Sequence, residues 1–137
     1  MPHFIIDYSS NLKPEADFTV LFDALQDYVT VSPTFPLAGC RCRALACPDF
    51  RVANGNSRFG YMHVNLRVGS GRTSGELAEA GDELVQIVKQ WVEQLQNKTG
   101  LLCALSFEIS QIDPELTWKD NPIRAAMAEE KRLQNQV

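Results

Sequence analysis

The chain has 137 residues, of which 45% are hydrophobic and 22% are charged, a balance typical of a single globular domain and unlike that of a disordered chain. Its formal net charge of −4 argues against nucleic-acid binding, which requires clustered excess lysine and arginine. No apolar run approaches the roughly 20 residues of a membrane span, and no basic leader precedes the first strand-like segment. We therefore expect one cytoplasmic domain over residues 1–137, with no nucleic-acid or membrane partner.

The cysteines favour a reduced compartment. There are four of them: Cys40, Cys42, Cys47 and Cys103. Cys40 and Cys42 would project from the same face of a strand, which is a poor geometry for a disulfide. Neither histidine completes the paired spacing of a zinc site. We expect small buried thiols and no bound metal.

The first part of the chain predicts a strand, a helix and a strand. Residues 3–8 are rich in aromatic and β-branched side chains, as in a strand. Pro14, followed by acidic residues, predicts a helix start. The apolar residues after it recur at helical spacing: Phe18, Leu21, Phe22, Leu25, Tyr28 and Val29. A second strand is predicted over residues 38–46, with Arg41 and Arg43 on one face and small side chains on the other.

The pattern then restarts after a polar, glycine-containing loop over residues 51–60. Apolar and polar residues alternate strictly over 62–68, which predicts a strand with two unlike faces. Thr73 and Glu76 fit a capping box at the start of a long helix, which ends near Gly100. Residues 101–110 then predict a fourth strand, with its odd-numbered residues on the apolar face: Leu101, Cys103, Leu105, Phe107 and Ile109.

These elements predict an α+β fold made of two β-α-β repeats, about 2–47 and about 59–110. Each crossover favours parallel pairing of its two strands, so we expect a four-stranded sheet with two helices on one face. The other face is expected to be too apolar to stay in water and to be covered by subunit association. A C-terminal helical arm over about 118–133, with Asn121 as cap and Pro122 at its first position, is expected to reach a neighbouring subunit.

Two places in the sequence could bind an anion. A glycine-rich turn that carries Arg72 leads into a helix N-terminus, where free N–H groups and a guanidinium can hold a carboxylate or phosphate. A solvated arginine in a simple strand-to-helix turn fits the same residues. Arg41 and Arg43 could line a pocket, reach solvent, or pair with Asp7 or Glu108, either of which could instead orient a catalytic group.

Pro2 directly follows Met1 at the head of the first strand. Initiator methionine is usually removed before a small residue such as proline, which would leave a free secondary amine. Burial and nearby cations would lower the pKa of that amine below the ~7.7–8.0 of an ordinary α-amino group, towards the value that a base needs at neutral pH. A Met-Pro start is also common where it has no role, so these two residues alone leave both interpretations open.

Four segments, taken in order, carry a family resemblance: PHFII at 2–6, FPLAGCRCR at 35–43, GSGRT at 69–73 and LCALSFEI at 102–109. Together they resemble the 5-carboxymethyl-2-hydroxymuconate isomerase family of the tautomerase superfamily. The resemblance runs from Pro2 to about Asn121, nearly the whole chain. Its motif Phe-Pro-Leu-Ala-Gly-x-Arg is fairly specific.

The resemblance implies a tautomerase-like homotrimer that works without a cofactor. It implies ketonisation of 5-carboxymethyl-2-hydroxymuconate, a carboxylate-rich enol, in the bacterial breakdown of homoprotocatechuate. The family's acid/base proline falls on Pro2, and its substrate-binding arginines fall on Arg41 and Arg72. The alternatives are a related tautomerase acting on another enol acid, such as phenylpyruvate or 2-hydroxymuconate, and a non-catalytic trimeric relative.

Overall fold

A computed structural model of the chain describes residues 1–136. Its strands and helices, in chain order, are β1 (His3–Ser9), α1 (Phe18–Val31), β2 (Arg41–Cys47), β3 (Phe59–Gly69), α2 (Ser74–Thr99), β4 (Leu102–Ile112) and α3 (Ile123–Gln134). Short 3₁₀ turns lie at Ser10–Leu12, Leu37–Gly39 and Pro114–Leu116. No helix in this described part of the chain is long and apolar enough to cross a membrane.

The four strands form one mixed sheet in the order β2-β1-β3-β4. β1 pairs in parallel with β2, and β3 pairs in parallel with β4, which confirms the two predicted β-α-β repeats. The repeats meet in the centre of the sheet, where β1 and β3 are antiparallel. In this register His3 lies between Arg41 and Arg67, so three basic side chains share the end of the sheet where the chain begins.

Several element starts differ from the sequence prediction, and β3, for one, begins at Phe59, inside the segment predicted as a loop. α1 begins at Phe18 rather than near Pro14, because the Asp17 carboxylate accepts a hydrogen bond from the Thr19 N–H at 3.1 Å and caps the helix there. β2 begins at Arg41 rather than Ala38, since the three residues before Cys40 form a 3₁₀ turn. That turn directs the chain into the sheet beside Pro2.

The predicted ends of α2 are confirmed. The Thr73 hydroxyl accepts a hydrogen bond from the Glu76 N–H at 3.1 Å, as an N-cap does. At the other end Gly100 adopts a left-handed conformation, with φ of 77°, and its N–H donates to the Gln96 carbonyl. Glycine reaches this conformation without a Cβ clash, which is why the helix ends there.

The second face of the sheet is mainly polar, so the expectation of an apolar face is wrong. Strand alternation points the large apolar side chains of β1 and β3 at the helices: Phe4, Ile6, Tyr8, Met62, Val64, Leu66 and Val68, all of them buried. The alternate positions of the same strands face away from the helices, and most carry polar groups: His3, Asp7, His63, Asn65 and Arg67. The sequence contains the apolar residues needed for one covered face, and the helices already cover it.

The C-terminal arm contacts its own chain, and its predicted reach to a neighbouring subunit stays a prediction. Its helix α3 contacts the turn at Leu37–Gly39. The Asn121 amide donates to the Ala38 carbonyl at 3.1 Å. The Asn121 side-chain oxygen also accepts from the Ile123 N–H at 3.0 Å. α3 begins at Ile123 with Pro122 at the N-cap position, so the prediction of Asn121 as cap and Pro122 as the first helical residue is one position too early.

Candidate active site

Pro2 is buried at the head of β1, next to the turn that precedes β2. Its carbonyl accepts a hydrogen bond from the Arg41 backbone N–H at 2.9 Å, so the sheet fixes its position. Gly39 allows this approach, because a Cβ at that position would lie 2.9 Å from the Met1 Cα. The glycine of the Phe-Pro-Leu-Ala-Gly segment therefore makes room for the start of the chain.

The Arg41 guanidinium lies beside the same chain start. Its Nη1 donates to the Gly39 carbonyl at 2.8 Å and approaches the Met1 sulfur at 3.5 Å. The side chain is only partly exposed. Arg41 is thus held next to Pro2 by the turn that the family motif forms.

Arg72 reaches the same region from the turn between β3 and α2. Its Nε donates to the Thr34 carbonyl at 2.7 Å, and its Nη1 donates to the Gly69 carbonyl at 3.3 Å. The guanidinium carbon lies 4.9 Å from the centre of the Phe35 ring, within the range of a cation–π contact. These contacts orient the guanidinium, so the simple solvated arginine is excluded.

Two further cations, Lys119 and Arg124, belong to the same cluster and were not found by sequence reasoning. Burial lowers the pKa of the Met1 amine, and the positive charges of Lys119, Arg72, Arg41 and Arg124 lower it further. Within residues 1–136 none of the four has a carboxylate at ion-pairing distance. Little in the sequence indicated this, because Lys119 and Arg124 follow the last strand and lie more than a hundred positions from Met1.

Asp7 and Glu108 hold a histidine and not an arginine. His63 Nδ1 lies 3.2 Å from the Asp7 carboxylate and Nε2 lies 2.7 Å from that of Glu108. Burial lowers the pKa of His63, but the two carboxylates outweigh burial and leave that pKa above its ordinary value. The exposed Arg43 instead approaches His3, at 3.3 Å from its Nδ1, so Arg43 is outside the candidate site.

Other parts of the molecule are less suited to an anionic substrate. A cavity of about 590 Å³ lies between the end of α1 and the start of α2, and its lining includes Glu76, Glu79 and Glu83. Those carboxylates would repel an enol acid. In the same described part, no three His, Cys, Asp or Glu side chains are grouped to hold a metal ion, and all four cysteines are free thiols.

Comparison with known proteins identifies the family. The family model of 5-carboxymethyl-2-hydroxymuconate isomerase matches residues 2–127. The 5-carboxymethyl-2-hydroxymuconate Delta-isomerase of Escherichia coli is 34% identical over 125 residues, which are 91% of this chain and 98% of that protein.

Solved structures share the fold. A 5-carboxymethyl-2-hydroxymuconate isomerase from Deinococcus radiodurans R1 superposes with a TM-score of 0.83 at 29% identity, covering 92% of this chain and 93% of that one. A fused 4-OT described as a symmetric trimer has a TM-score of 0.56 at 24% identity, covering 90% of this chain and 98% of that one, which is a likeness of fold alone. The chain belongs to the 5-carboxymethyl-2-hydroxymuconate isomerase family, and it is an isomerase of that type.

Proposed function

We propose that Pro2, exposed by removal of Met1, is the acid/base with which this protein ketonises 5-carboxymethyl-2-hydroxymuconate, while Arg41 and Arg72 hold substrate carboxylates. The observation that carries the proposal is the group of four cations near the chain start, none of which has a carboxylate at ion-pairing distance in the described part of the chain. Once Met1 is removed, the Pro2 nitrogen becomes the amine beside these charges. Its pKa then falls below that of an ordinary α-amino group, so a base is available at neutral pH.

The reaction moves one proton along the dienol. The neutral Pro2 amine accepts the proton of the 2-hydroxyl group, and the oxygen becomes a carbonyl as the electron pair shifts along the conjugated chain. The protonated amine then returns a proton to carbon, which restores the neutral base. The arginines bind the carboxylates and stabilise the negative charge that develops during the transfer.

The sizes of these effects are compatible with a simple tautomerase. Positioned acid/base catalysis contributes about 10²–10⁴-fold in rate. A charge-assisted hydrogen bond from Arg41 or Arg72 contributes about 1.5–3 kcal/mol. No redox step is needed, because substrate and product are isomers.

We also propose a homotrimer that acts in the cytoplasm, in the breakdown of homoprotocatechuate that the family resemblance implies. The fused 4-OT with the same fold is described as a symmetric trimer. The sheet face away from the helices also carries Leu45 and Leu102, which are 56% and 49% exposed. Arg43 and Arg67 have no carboxylate at ion-pairing distance within residues 1–136. Both features suit a face that meets further copies of the chain.

The role of Pro2 is tested with two matched forms of the protein. One is processed to begin at Pro2, and the other retains Met1 through inhibition of the aminopeptidase during expression; intact mass identifies each. Ketonisation of 5-carboxymethyl-2-hydroxymuconate is followed by loss of the dienol absorbance. The form with Met1 should be slower by about 10²–10⁴-fold, since its Pro2 nitrogen is an amide. Equal activity of the two forms would refute the proposal.

A further inference from the structure

We propose that Lys119 is a third anion-binding residue of this site, and that it selects substrates with a third carboxylate. The inference rests on the proposed function above and extends it to substrate choice. Lys119 lies on the segment between β4 and α3, outside the strands and helices that position Pro2, Arg41 and Arg72.

Lys119 is one of four cations near the chain start. The chain has 17 acidic residues and 13 lysines and arginines, so carboxylates are in excess. Even so, Lys119, Arg41, Arg72 and Arg124 surround the chain start with no carboxylate at ion-pairing distance in the described chain. Like charges brought together repel one another and cost stability. An anionic ligand relieves that repulsion.

The position of Lys119 relative to Arg72 also supports a binding role. The Lys119 ammonium lies 3.6 Å from the point where a Cβ on Gly69 would stand, while Arg72 donates to the Gly69 carbonyl. The two cations therefore approach the same turn. Beside it is a cavity of about 350 Å³, lined by Gly69, Ser70, Ile112, Pro114, Thr117 and Lys119. A carboxylate in this cavity would meet Lys119, and the carbonyl of Gly69, a residue of the cavity wall, accepts a hydrogen bond from Arg72.

The segment that carries Lys119 is anchored. Two residues after Lys119, the Asn121 amide donates to the Ala38 carbonyl at 3.1 Å. Arg124 sits in the first turn of α3, where the helix dipole disfavours a cation. The segment thus brings positive charge to the site although Arg124 destabilises the start of α3. A role in binding an anion explains such a placement.

The number of carboxylates on the substrate matches the number of cations assigned to bind them. Muconate carries two carboxylates, and the 5-carboxymethyl group adds a third. Arg41 and Arg72 account for two anionic groups, and Lys119 accounts for the third. The dienol of 2-hydroxymuconate lacks the carboxymethyl group, so it is the natural probe for a residue that acts on that group alone.

The test compares Lys119→Ala with Lys131→Ala on both substrates. Lys131 is an exposed lysine near the end of α3 and serves as the matched control. Lys119→Ala should lower kcat/KM for 5-carboxymethyl-2-hydroxymuconate by about 10- to 100-fold, the size of a lost charge-assisted contact, mainly through KM. Its effect on 2-hydroxymuconate should stay within about three-fold, and Lys119→Arg should restore most of the loss, since it keeps the charge.

A pH profile gives a second readout that a structural role would not move. Removing the Lys119 charge should raise the pKa that governs kcat/KM, because that charge lowers the pKa of the neighbouring amine, whereas Lys131→Ala should leave the profile in place. Equal losses on both substrates, or no loss on either, would overturn the role of Lys119 while the parent remains active. A parent inactive on both substrates would overturn the proposed function, and this inference with it.

Discussion

Arg41 and Arg72 are oriented by backbone carbonyls and not by carboxylates, and this distinction matters for catalysis. Arg41 donates to Gly39, and Arg72 donates to Thr34 and Gly69. A carbonyl fixes the direction of a guanidinium without neutralising its charge. The full positive charge therefore remains available to a substrate anion.

This leads to a prediction for the two arginines. Arg41→Ala or Arg72→Ala should lower kcat/KM by about 10- to 100-fold, since each removes a charge-assisted contact. Lysine at either position should restore only part of the activity, because the bidentate fork is lost. Arg51→Ala, in the exposed loop before β3, is the control and should match the parent. Steady-state kinetics measure kcat/KM for every variant. Arginine variants as active as the control would refute the substrate-binding role of both residues.

His63 provides a prediction about stability and pH. Its pKa is raised in the folded protein by Asp7 and Glu108, above the ~6.5 of an unperturbed histidine. Its contribution to folding is therefore complete below about pH 6.5 and disappears as the pH rises through the raised pKa. The difference in unfolding free energy between the parent and His63→Gln should be larger at pH 6 than at pH 9.

His3 supplies the contrast. Burial and then Arg43, Arg41 and Arg67 lower the pKa of His3. Protonation at acidic pH therefore favours the unfolded chain, and the pH dependence has the opposite sign. In denaturant titrations, the unfolding free energy of the parent should decrease relative to that of His3→Gln as the pH falls. The same sign for both variants would contradict this account of the polar sheet face.

At the scale of elements, α2 owes its length to the residues at its two ends. Thr73 caps its start and Gly100 ends it in the left-handed conformation. Gly75 lies in its first turn with no positive φ, and a Cβ there would meet only the Thr73 hydroxyl, at an ordinary 3.9 Å. The backbone conformation at Gly100 therefore requires glycine, whereas the conformation at Gly75 accepts a residue with a Cβ.

Alanine at these two positions should therefore change stability in opposite directions. Gly100→Ala forces a Cβ into the left-handed region and should destabilise the protein by about 1–2 kcal/mol. Gly75→Ala replaces a poor helix former and should stabilise it by up to about 1 kcal/mol. Urea denaturation measures both. A destabilised Gly75→Ala together with a neutral Gly100→Ala would contradict the assigned helix ends.

The elements also show where sequence reasoning succeeds and where it stops. Period-two alternation and caps such as Thr73 are local signals, and they sufficed to predict the repeats and their parallel pairs. Arg41 was assigned through the family resemblance of the Phe-Pro-Leu-Ala-Gly segment, and the local pattern alone left its role open. Lys119 lies far along the chain from Pro2, and only the fold of the arm brings them together. The prediction that the sheet face away from the helices is apolar was wrong. The number of hydrophobic residues in a strand does not show which face the helices cover.

For the whole molecule, the open sheet face is the feature that a single chain leaves without a partner. It combines exposed apolar side chains such as Leu45 with Arg43 and Arg67, neither of which has a carboxylate at ion-pairing distance among residues 1–136. The strands at the two edges of the sheet, β2 and β4, also have free backbone groups that can pair with another chain. Assembly through this face and its edges would bury these groups.

The proposed trimer predicts the mass of the protein in solution and the effect of substituting Leu45. Light scattering should give a mass of about three times 15.3 kDa. Leu45→Asp should shift the protein towards monomer, because it places a carboxylate in the proposed interface. Val20→Asp, at a similarly exposed position on α1, should leave the mass unchanged. A parent protein that is an active monomer would refute the proposed assembly.

The central claim is that the Pro2 nitrogen is a basic amine at neutral pH, and its own titration tests this most directly. Protein labelled with ¹⁵N-proline and processed to begin at Pro2 can be followed by NMR across pH 4–10. The Pro2 amine should titrate with an apparent pKa clearly below the ~7.7–8.0 of an ordinary α-amino group, because burial and four nearby cations lower the pKa of the adjacent Met1 amine. A Pro2 nitrogen that titrates at or above that range, or that does not titrate in an active enzyme, would contradict the central claim.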